Sequence, residues 1–211
     1  MSVAITMTAD QGNELDAQAR PTSSYQEESV RTAAWQSLHR RHVWLQMNLV
    51  SSFLAAGVIG LFEDTLIQVI AVAAFVPVMV GQSASTGAQA LAVALRGLAR
   101  GEQGHDRWQA LLRKEIMVGI GNGTLVGLTS AIGIYLYAVL RGHPGAGLLA
   151  MVMLLAMIVS TAVSSIVGAI MPLIMHRLGL DPAASATIVV GGVTRLVSIG
   201  AFLVLTHWIC L

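Results

Sequence analysis

The stretch FVPVMVGQSASTGAQALAVALRG, from Phe75 to Gly97, combines a membrane-like segment with a polar interior. It is apolar for its first six residues, small and polar from Gly81 to Gln89, and apolar again before Arg96. A helix of this length can cross about 30 Å of hydrocarbon at about 1.5 Å per residue. Lipid tails offer no hydrogen-bond partner to a glutamine or a serine. The stretch therefore predicts a transmembrane helix with one polar face.

The composition of the whole chain is typical of an integral membrane protein. Of its 211 residues, 55% are hydrophobic and 11% are charged, and the mean hydropathy is +0.71. Soluble domains carry about 25% charged residues. Five apolar segments are long enough to cross the bilayer, and they lie at about 43–62, 66–95, 115–140, 147–175 and 184–209. We expect an all-α, polytopic membrane protein with five transmembrane helices per subunit.

The residues ahead of the first span divide into two parts. Residues 1–25 are hydrophilic, and we predict that they form a disordered cytoplasmic tail. Residues 26–42 place apolar side chains such as Val30 and Leu38 at helical spacing, which predicts an amphipathic helix at the membrane interface. The remaining residues, 43–211, make up the predicted five-helix transmembrane domain.

The basic residues lie almost entirely on one predicted side of the membrane. Of the basic residues that flank the predicted spans, nine stand on that side and only Arg141 stands on the other. The side richer in arginine and lysine faces the cytoplasm, so the N-terminus is predicted to be cytoplasmic and the C-terminus, after five spans, external. We predict a multi-pass protein of a bacterial cytoplasmic (inner) membrane. The nine residues are Arg31, Arg40, Arg41, Arg96, Arg100, Arg107, Arg113, Lys114 and Arg177.

Four spans carry small or polar residues at helical spacing. In the second span Gln82, Ser85 and Gln89 share one face, with Thr86 beside them. Helix packing and an ion pathway both remain open for this face, because each glutamine needs several hydrogen-bond partners. In the third and fourth spans we favour packing, since small residues let two helices approach closely. The packing residues are Gly119, Gly123 and Gly127 in the third span, and Ser160, Ser164 and Gly168 in the fourth. The fifth span carries Thr187, Gly191, Thr194 and Ser198 at similar spacing.

The sequence predicts no catalytic residue. The run Gly81 to Ala84 fits the G-x-S-x pattern of a serine nucleophile, but such a serine needs a base within hydrogen-bond reach. All six histidines lie in loops or near the ends of spans. There is no HExxH, phosphate-loop or dinucleotide pattern. We therefore predict a protein that is not an enzyme, with no tightly bound cofactor and no nucleic-acid partner.

Several stretches together resemble the transmembrane domain of the MgtE magnesium transporter family. They are RRHVWLQMNLVSSFLAAGVIGLFEDTLIQVIAVAAFVPVMVG, TGAQALAVALRGLARGE, KEIMVGIGNG and IMPLIMHRLGLDPAAS. The combination of GLFE, a proline in the second span, G-x-Q before RGLA-x-GE, and LGLDPA makes the resemblance specific. It covers about residues 36–205, which is nearly the whole membrane part of the chain.

This resemblance implies an MgtE-like homodimer with an ion path between the second and fifth helices of its two subunits. It implies passive conduction of divalent cations, with Mg²⁺ as the transported ion and membrane lipid as the surroundings. Hydroxyl, amide and carbonyl oxygens would then face a largely hydrated ion, because Mg²⁺ usually keeps several waters. The candidate pathway residues are Gly81, Ser85, Thr86 and Gln89 in the second span, with Thr187, Gly191, Thr194 and Ser198 in the fifth.

The chain departs from the family pattern at Arg195. The family has a Thr-Asp pair in the fifth helix, and its aspartate holds hydrated magnesium, whereas this chain has Thr194 and Arg195. One positive charge about 5 Å from a divalent ion costs about 6–7 kcal/mol at an effective dielectric constant near 20. Three arrangements are open: Arg195 pairs with a carboxylate such as Glu115, it lies in the pore, or another residue faces the ion. We include Arg195 among the candidate metal-site residues because it occupies the ligand's position.

The resemblance covers only the transmembrane domain. Full-length members carry cytoplasmic magnesium-sensing domains, and the 42 residues ahead of the first span are too few to hold them. We expect gating to come from a separate regulatory protein, from the lipid or from the membrane domain itself. The alternative function is that of a non-conducting, MgtE-like membrane protein with an assembly or regulatory role.

Overall fold

The computed structural model describes residues 33–101, 104–180 and 182–211. Within these ranges all regular structure is helical, which confirms the predicted all-α class. The predicted tail and residues 26–32 of the predicted interfacial helix lie outside the described residues. The helices are α1 (Ala34–Leu61), α2 (Glu63–Gln68), α3 (Ile70–Ala99), α4 (His105–Leu140), α5 (Ala146–Arg177) and α6 (Pro182–Cys210).

Five of these helices, α1, α3, α4, α5 and α6, are long and apolar enough to cross a membrane, as the sequence predicts. Their ends differ from the predicted spans: α3 begins at Ile70 rather than at 66, because residues 66–68 belong to α2. Helix α4 begins at His105, ten residues before its predicted span, because a helix does not have to end where the hydrocarbon ends. Helix α1 runs without a break through residue 42, where the sequence places the end of an interfacial helix. That boundary stays a prediction. Helix α5 is central and packs against α3, α4 and α6.

Glycines in the left-handed conformation end three of the long helices, the first of them Gly101 with φ +69° after α3. Gly142 has φ +69° after α4, and Gly179 has φ +72° after α5. The turn after α4 is closed by a hydrogen bond from the His143 N–H to the Ala138 carbonyl at 2.9 Å. Such turns satisfy carbonyls at the helix end that have no partner inside the helix, and glycine adopts the required φ without a steric penalty. Pro182 then begins α6 at the position where a missing N–H costs nothing.

The glycines of the third span bring α4 into close contact with α5. A Cβ atom on Gly119 would lie 2.9 Å from the Ala162 Cα, and one on Gly123 would lie 2.8 Å from the Ile158 Cα. Gly127, one helical turn further along, also faces α5 at close range. The helix backbones are therefore nearly in contact, and the packing interpretation of this stripe is confirmed.

The small residues of the fourth span form a second close interface, between α5 and α3. A Cβ atom on Gly168 would overlap the carbonyl oxygen of Gly87. Ser160 and Ser164 are fully buried, which confirms that this stripe is also a packing face. Their hydroxyls have no hydrogen-bond partner among the described residues. The hydrogen bonds between helices that are expected of such serines are therefore absent from the described part of the chain.

A threonine beside those serines makes a hydrogen bond between α5 and α4. The Thr161 hydroxyl donates to the Gly119 carbonyl at 2.9 Å and also lies 2.8 Å from the Met157 carbonyl of its own helix.

We expect Thr161→Val to lower the free energy of unfolding by about 1 kcal/mol, because it removes the hydroxyl and keeps the shape. Denaturant unfolding in mixed micelles measures the change. Thr129→Val is the control, because the exposed Thr129 bonds only its own helix, and an equal loss there would contradict the expectation.

Helix α1 is attached to the other helices over a small area. From Leu38 to Leu61 its only buried side chain, among those described, is Ala55. Large apolar side chains such as Phe53 and Leu54 are exposed. A helix of this kind within a membrane domain contacts lipid or another chain along most of its length.

Candidate functional site

The polar face of α3 is not covered by the other described helices. Gly81, Gln82, Ser85 and Gln89 are all exposed. The Ser85 hydroxyl donates to the Gly81 carbonyl at 2.9 Å, so its donor is satisfied within the helix. The amides of Gln82 and Gln89 have no hydrogen-bond partner within the described ranges. Four polar or small positions of one helical face are thus open on the surface of a single chain.

The opposite face of α3 is buried where it meets α5 and α6. A Cβ atom on Gly87 would lie 3.1 Å from the Thr194 Cγ2 and 3.3 Å from the Ser164 carbonyl oxygen. Thr86 is nearly buried beside it, and its hydroxyl donates to the Gln82 carbonyl at 3.0 Å. The structure therefore brings the second and fifth spans together at Gly87 and Thr194.

The hydroxyls of α6 divide into an accessible and a buried group. Thr187 is exposed, and Gly191 is half-buried with open space where a Cβ atom would stand. Thr194 and Ser198 are buried, and their hydroxyls donate to carbonyls of their own helix at 3.2 and 2.6 Å. In the single chain, Thr187 and Gly191 are therefore the α6 candidates within reach of a passing ion.

The guanidinium of Arg195 lies against α1. Its Nη1 donates to the Ser52 hydroxyl at 2.6 Å and lies 3.5 Å from the Ser51 hydroxyl, and its Nη2 lies 3.5 Å from the Asn48 Oδ1. All of these partners are neutral. Because the charge stands near the middle of a membrane-spanning helix, it needs such partners.

The proposed pairing of Arg195 with Glu115 is wrong. Glu115 is buried, and one of its carboxylate oxygens lies 3.7 Å from the Nζ of Lys114. The physical reason is that the guanidinium lies against hydroxyl and amide oxygens of α1, with the Ser52 hydroxyl 2.6 Å from its Nη1.

Sequence reasoning missed the α1 residues that bind Arg195. The signal was present, because Asn48, Ser51 and Ser52 stand at i, i+3 and i+4 within an otherwise apolar span and so share one helical face. A second feature is Gly192 on α6, where a Cβ atom would lie 3.0 Å from the Ser51 Cβ. The glycine lets α1 approach closely enough for the short bond to Arg195.

Neither an activated nucleophile nor a cluster of metal ligands is present in the described part of the chain. Ser83, the serine of the G-x-S-x pattern, is fully buried, and its hydroxyl has no described hydrogen-bond partner, so no base activates it. The described ranges also contain no group of three His, Cys, Asp or Glu side chains that could hold a metal ion together. The oxygens that the site can offer to a cation are those of hydroxyls, amides and backbone carbonyls.

Comparison with known proteins shows which family the chain resembles over most of its length. The family model of MgtE, described as a divalent cation transporter, matches residues 76–205. The magnesium transporter MgtE of Bacillus subtilis is 31% identical over 155 residues, which is 74% of this chain and 33% of the relative. That of Thermus thermophilus is 31% identical over 140 residues, covering 66% and 30%, and that of Enterococcus faecalis is 27% identical over 161 residues, covering 75% and 34%. The chain thus matches about a third of the length of these relatives. Because the family model matches more than half of the chain, the protein belongs to the MgtE family of divalent cation transporters.

Proposed function

We propose that the chain conducts divalent cations passively across the membrane, with Mg²⁺ as the first candidate, through a pore between two copies. The relatives are named magnesium transporters, and the family consists of transporters rather than enzymes. The single observation that carries the proposal is the exposed polar face of α3, formed by Gly81, Gln82, Ser85 and Gln89.

This face cannot lie against lipid without a large cost. An amide transferred from water to a hydrocarbon without a partner costs about 4–8 kcal/mol, and α3 presents two glutamine amides without a described partner. Water or another protein surface must therefore cover them. A two-fold axis beside α3 would bring two such faces together and enclose a polar path. That is the arrangement of the homodimer that we propose.

The oxygens along this path suit an ion that keeps its water. Mg²⁺ loses its hydration shell reluctantly and often binds through only one or two protein groups. The Gln89 amide and the Ser85 hydroxyl on α3, with the Thr187 hydroxyl on α6, offer neutral oxygens for hydrogen bonds to that shell, and the open space beside Gly191 leaves room for it. The path that we propose follows these accessible groups rather than the buried hydroxyls of Thr194 and Ser198.

Arg195 stands where the ligand is expected but does not act as one. A guanidinium has donors only and cannot bind a cation. Its hydrogen bonds to α1 fix the charge on that helix, and we propose that this keeps it apart from the ion path.

The proposed placement in the membrane follows from the distribution of charge. Of the basic residues that flank the spans, nine stand on the side of the chain's start and of the α3–α4 connection, against Arg141 alone on the other side. This supports a cytoplasmic N-terminus and an external C-terminus in a bacterial cytoplasmic membrane. We also propose that a separate regulatory protein, the lipid or the membrane domain itself controls the pore.

Two observations favour the second candidate function, a non-conducting member of the family with an assembly or regulatory role. One is the arginine at the aspartate position, and the other is that the hydroxyls of Thr194 and Ser198 are hydrogen-bonded to their own helix.

Magnesium influx into proteoliposomes, followed with an enclosed fluorescent indicator, separates the two functions. We expect influx above that of protein-free vesicles. No influx from a preparation shown to be folded and dimeric would establish the non-conducting function.

A bulky side chain on the polar face of α3 is expected to block the influx. Ser85→Phe places a ring where the proposed path is lined by small groups, and we expect the initial Mg²⁺ influx rate to fall about tenfold or more. Leu125→Phe is the matched control, because Leu125 is 67% exposed on α4, away from that face. Equal rates for the two variants would place the ion path elsewhere.

A further inference from the structure

The ends of α3 and α4 enclose a basic pocket that the proposed ion path does not use. Its volume is about 290 Å³. Arg96 and Arg100 line it from the end of α3, and Arg107 and Lys114 line it from the first turns of α4. Four cationic residues of one chain thus line a single small space. The pocket lies on the side of the membrane that the positive-inside rule assigns to the cytoplasm.

Most of the positive charge in this pocket has no carboxylate partner among the described residues. Among the described residues no carboxylate forms an ion pair with Arg96, Arg100 or Arg107. Lys114 lies 3.7 Å from Glu115, which offsets one of the four positive charges. Like charges held close together repel one another, and an anion bound in the pocket would be attracted to each of them and offset that repulsion.

A buried donor in the pocket wall also lacks an acceptor. The indole Nε1 of Trp108 is inaccessible to solvent and has no hydrogen-bond partner among the described residues, and Trp108 lines the pocket. An indole N–H can only donate, and a buried donor without an acceptor costs about 1–3 kcal/mol. The N–H does not reach the pocket surface in this arrangement, so an acceptor atom on a bound ligand would remove that cost once the indole turns toward the pocket. The basic side chains and the unpaired indole N–H therefore favour the same kind of ligand, an anion with several acceptor oxygens.

We propose that this pocket binds the phosphate group of an anionic ligand. Arginine guanidinium groups bind phosphate through paired N–H donors, and lysine adds a point charge. The pocket also has apolar walls from Val93 and Leu111, which suit the glycerol and the first acyl carbons of a phospholipid. Basic pockets between transmembrane helices on the cytoplasmic side bind lipid headgroups. A phospholipid headgroup and free phosphate share this chemistry, and the experiment distinguishes them.

The test uses the full chain in a neutral detergent, titrated separately with phosphatidylglycerol, phosphatidylcholine and inorganic phosphate. Native mass spectrometry counts bound lipid, and thermal unfolding reports binding of phosphate. The pocket variant is Arg96→Gln with Arg107→Gln. The control is Arg113→Gln with Arg177→Gln, which removes the same charge from exposed positions on the same predicted side, outside the pocket.

We expect saturable binding of phosphatidylglycerol that phosphatidylcholine does not reproduce. Removal of one basic residue near a membrane surface weakens binding about fivefold, so the pocket variant is expected to lose about 25-fold in affinity. The control variant is expected to lose less than about twofold, because its charges do not contact the ligand. Saturable stabilisation by inorganic phosphate, lost in the pocket variant, would support the site with free phosphate as its ligand.

Trp108→Phe provides a test that does not change the charge. It keeps an aromatic ring in the wall and removes the N–H, so phosphate-dependent binding is expected to weaken about fivefold. Trp208→Phe is its control, because Trp208 is 82% exposed near the end of α6. Absence of saturable binding of either ligand, or equal losses in the pocket and control variants, would overturn the proposal.

Discussion

Replacing Gly123 by alanine is expected to lower the free energy of unfolding by about 3 kcal/mol. The added methyl group would overlap the Thr161 hydroxyl and would lie 2.8 Å from the Ile158 Cα. A side-chain end can rotate away, but a backbone atom in the middle of a helix cannot. Helices α4 and α5 would therefore have to separate along their whole contact, and the hydrogen bond from Thr161 to the Gly119 carbonyl would lengthen.

Gly121→Ala is the matched control for this effect. Gly121 lies two residues from Gly123 on the same helix, but nothing stands within 4 Å of its Cβ position. Its replacement is expected to leave the stability unchanged or to raise it by up to about 1 kcal/mol, through helix propensity alone. Denaturant unfolding in mixed micelles, followed by far-ultraviolet circular dichroism, measures both. Equal losses would show that membrane-helix glycines matter here for flexibility and not for close packing.

The number and type of the helices could be predicted from the sequence because the bilayer restricts the choice. A backbone segment in hydrocarbon must satisfy its own hydrogen bonds, so a long apolar run is a helix, and its length sets how often the chain crosses. The five predicted spans, such as 147–175 within α5, follow from that rule. The glycine stripe of α4 could be assigned to packing for a similar reason, since lipid gives two helices no other means of close approach.

The candidate site was harder to predict, because a helical period gives a face but does not identify what covers it. Gln82, Ser85 and Gln89 share an exposed face of α3, whereas Thr194 and Ser198 share a buried stripe of α6. Both stripes look alike in the sequence. Only the packing of the helices, fixed at Gly87 and Gly168, decides which of them stays open.

The partner of Arg195 depends on tertiary structure even more directly. The sequence requires a partner, since a charged side chain in the middle of a membrane is costly, but it does not rank a buried carboxylate against neutral oxygens. Glu115 has the better charge for the role, yet the Ser52 hydroxyl is the group that lies 2.6 Å from the guanidinium. Depth along the helices decided the pairing: Ser52 and Arg195 both stand near the middle of their spans, and Glu115 begins its own.

Removal of the α1 partners of Arg195 is expected to lower the free energy of unfolding more than removal of the arginine itself. Asn48→Ala with Ser52→Ala leaves the guanidinium without its nearest oxygens, and an uncompensated charge in such a place costs about 3–5 kcal/mol. Arg195→Met removes the charge and keeps an unbranched side chain, so its own cost is expected to stay below about 1.5 kcal/mol. In the Arg195→Met background the two alanine replacements should cost less than about 1 kcal/mol together, because no charge is left to satisfy.

The double-mutant cycle, measured as free energies of unfolding in mixed micelles, gives the coupling energy directly. Ser51→Ala is the internal control: its hydroxyl is 3.5 Å from the guanidinium, against 2.6 Å for Ser52, and the replacement keeps the Cβ atom that packs against Gly192. We expect it to cost less than half as much as Ser52→Ala, since a hydrogen bond weakens with length. Additive effects in the cycle would mean that the contact between Arg195 and α1 does not stabilise the protein and that water satisfies the charge. The ion path would then have to pass beside Arg195.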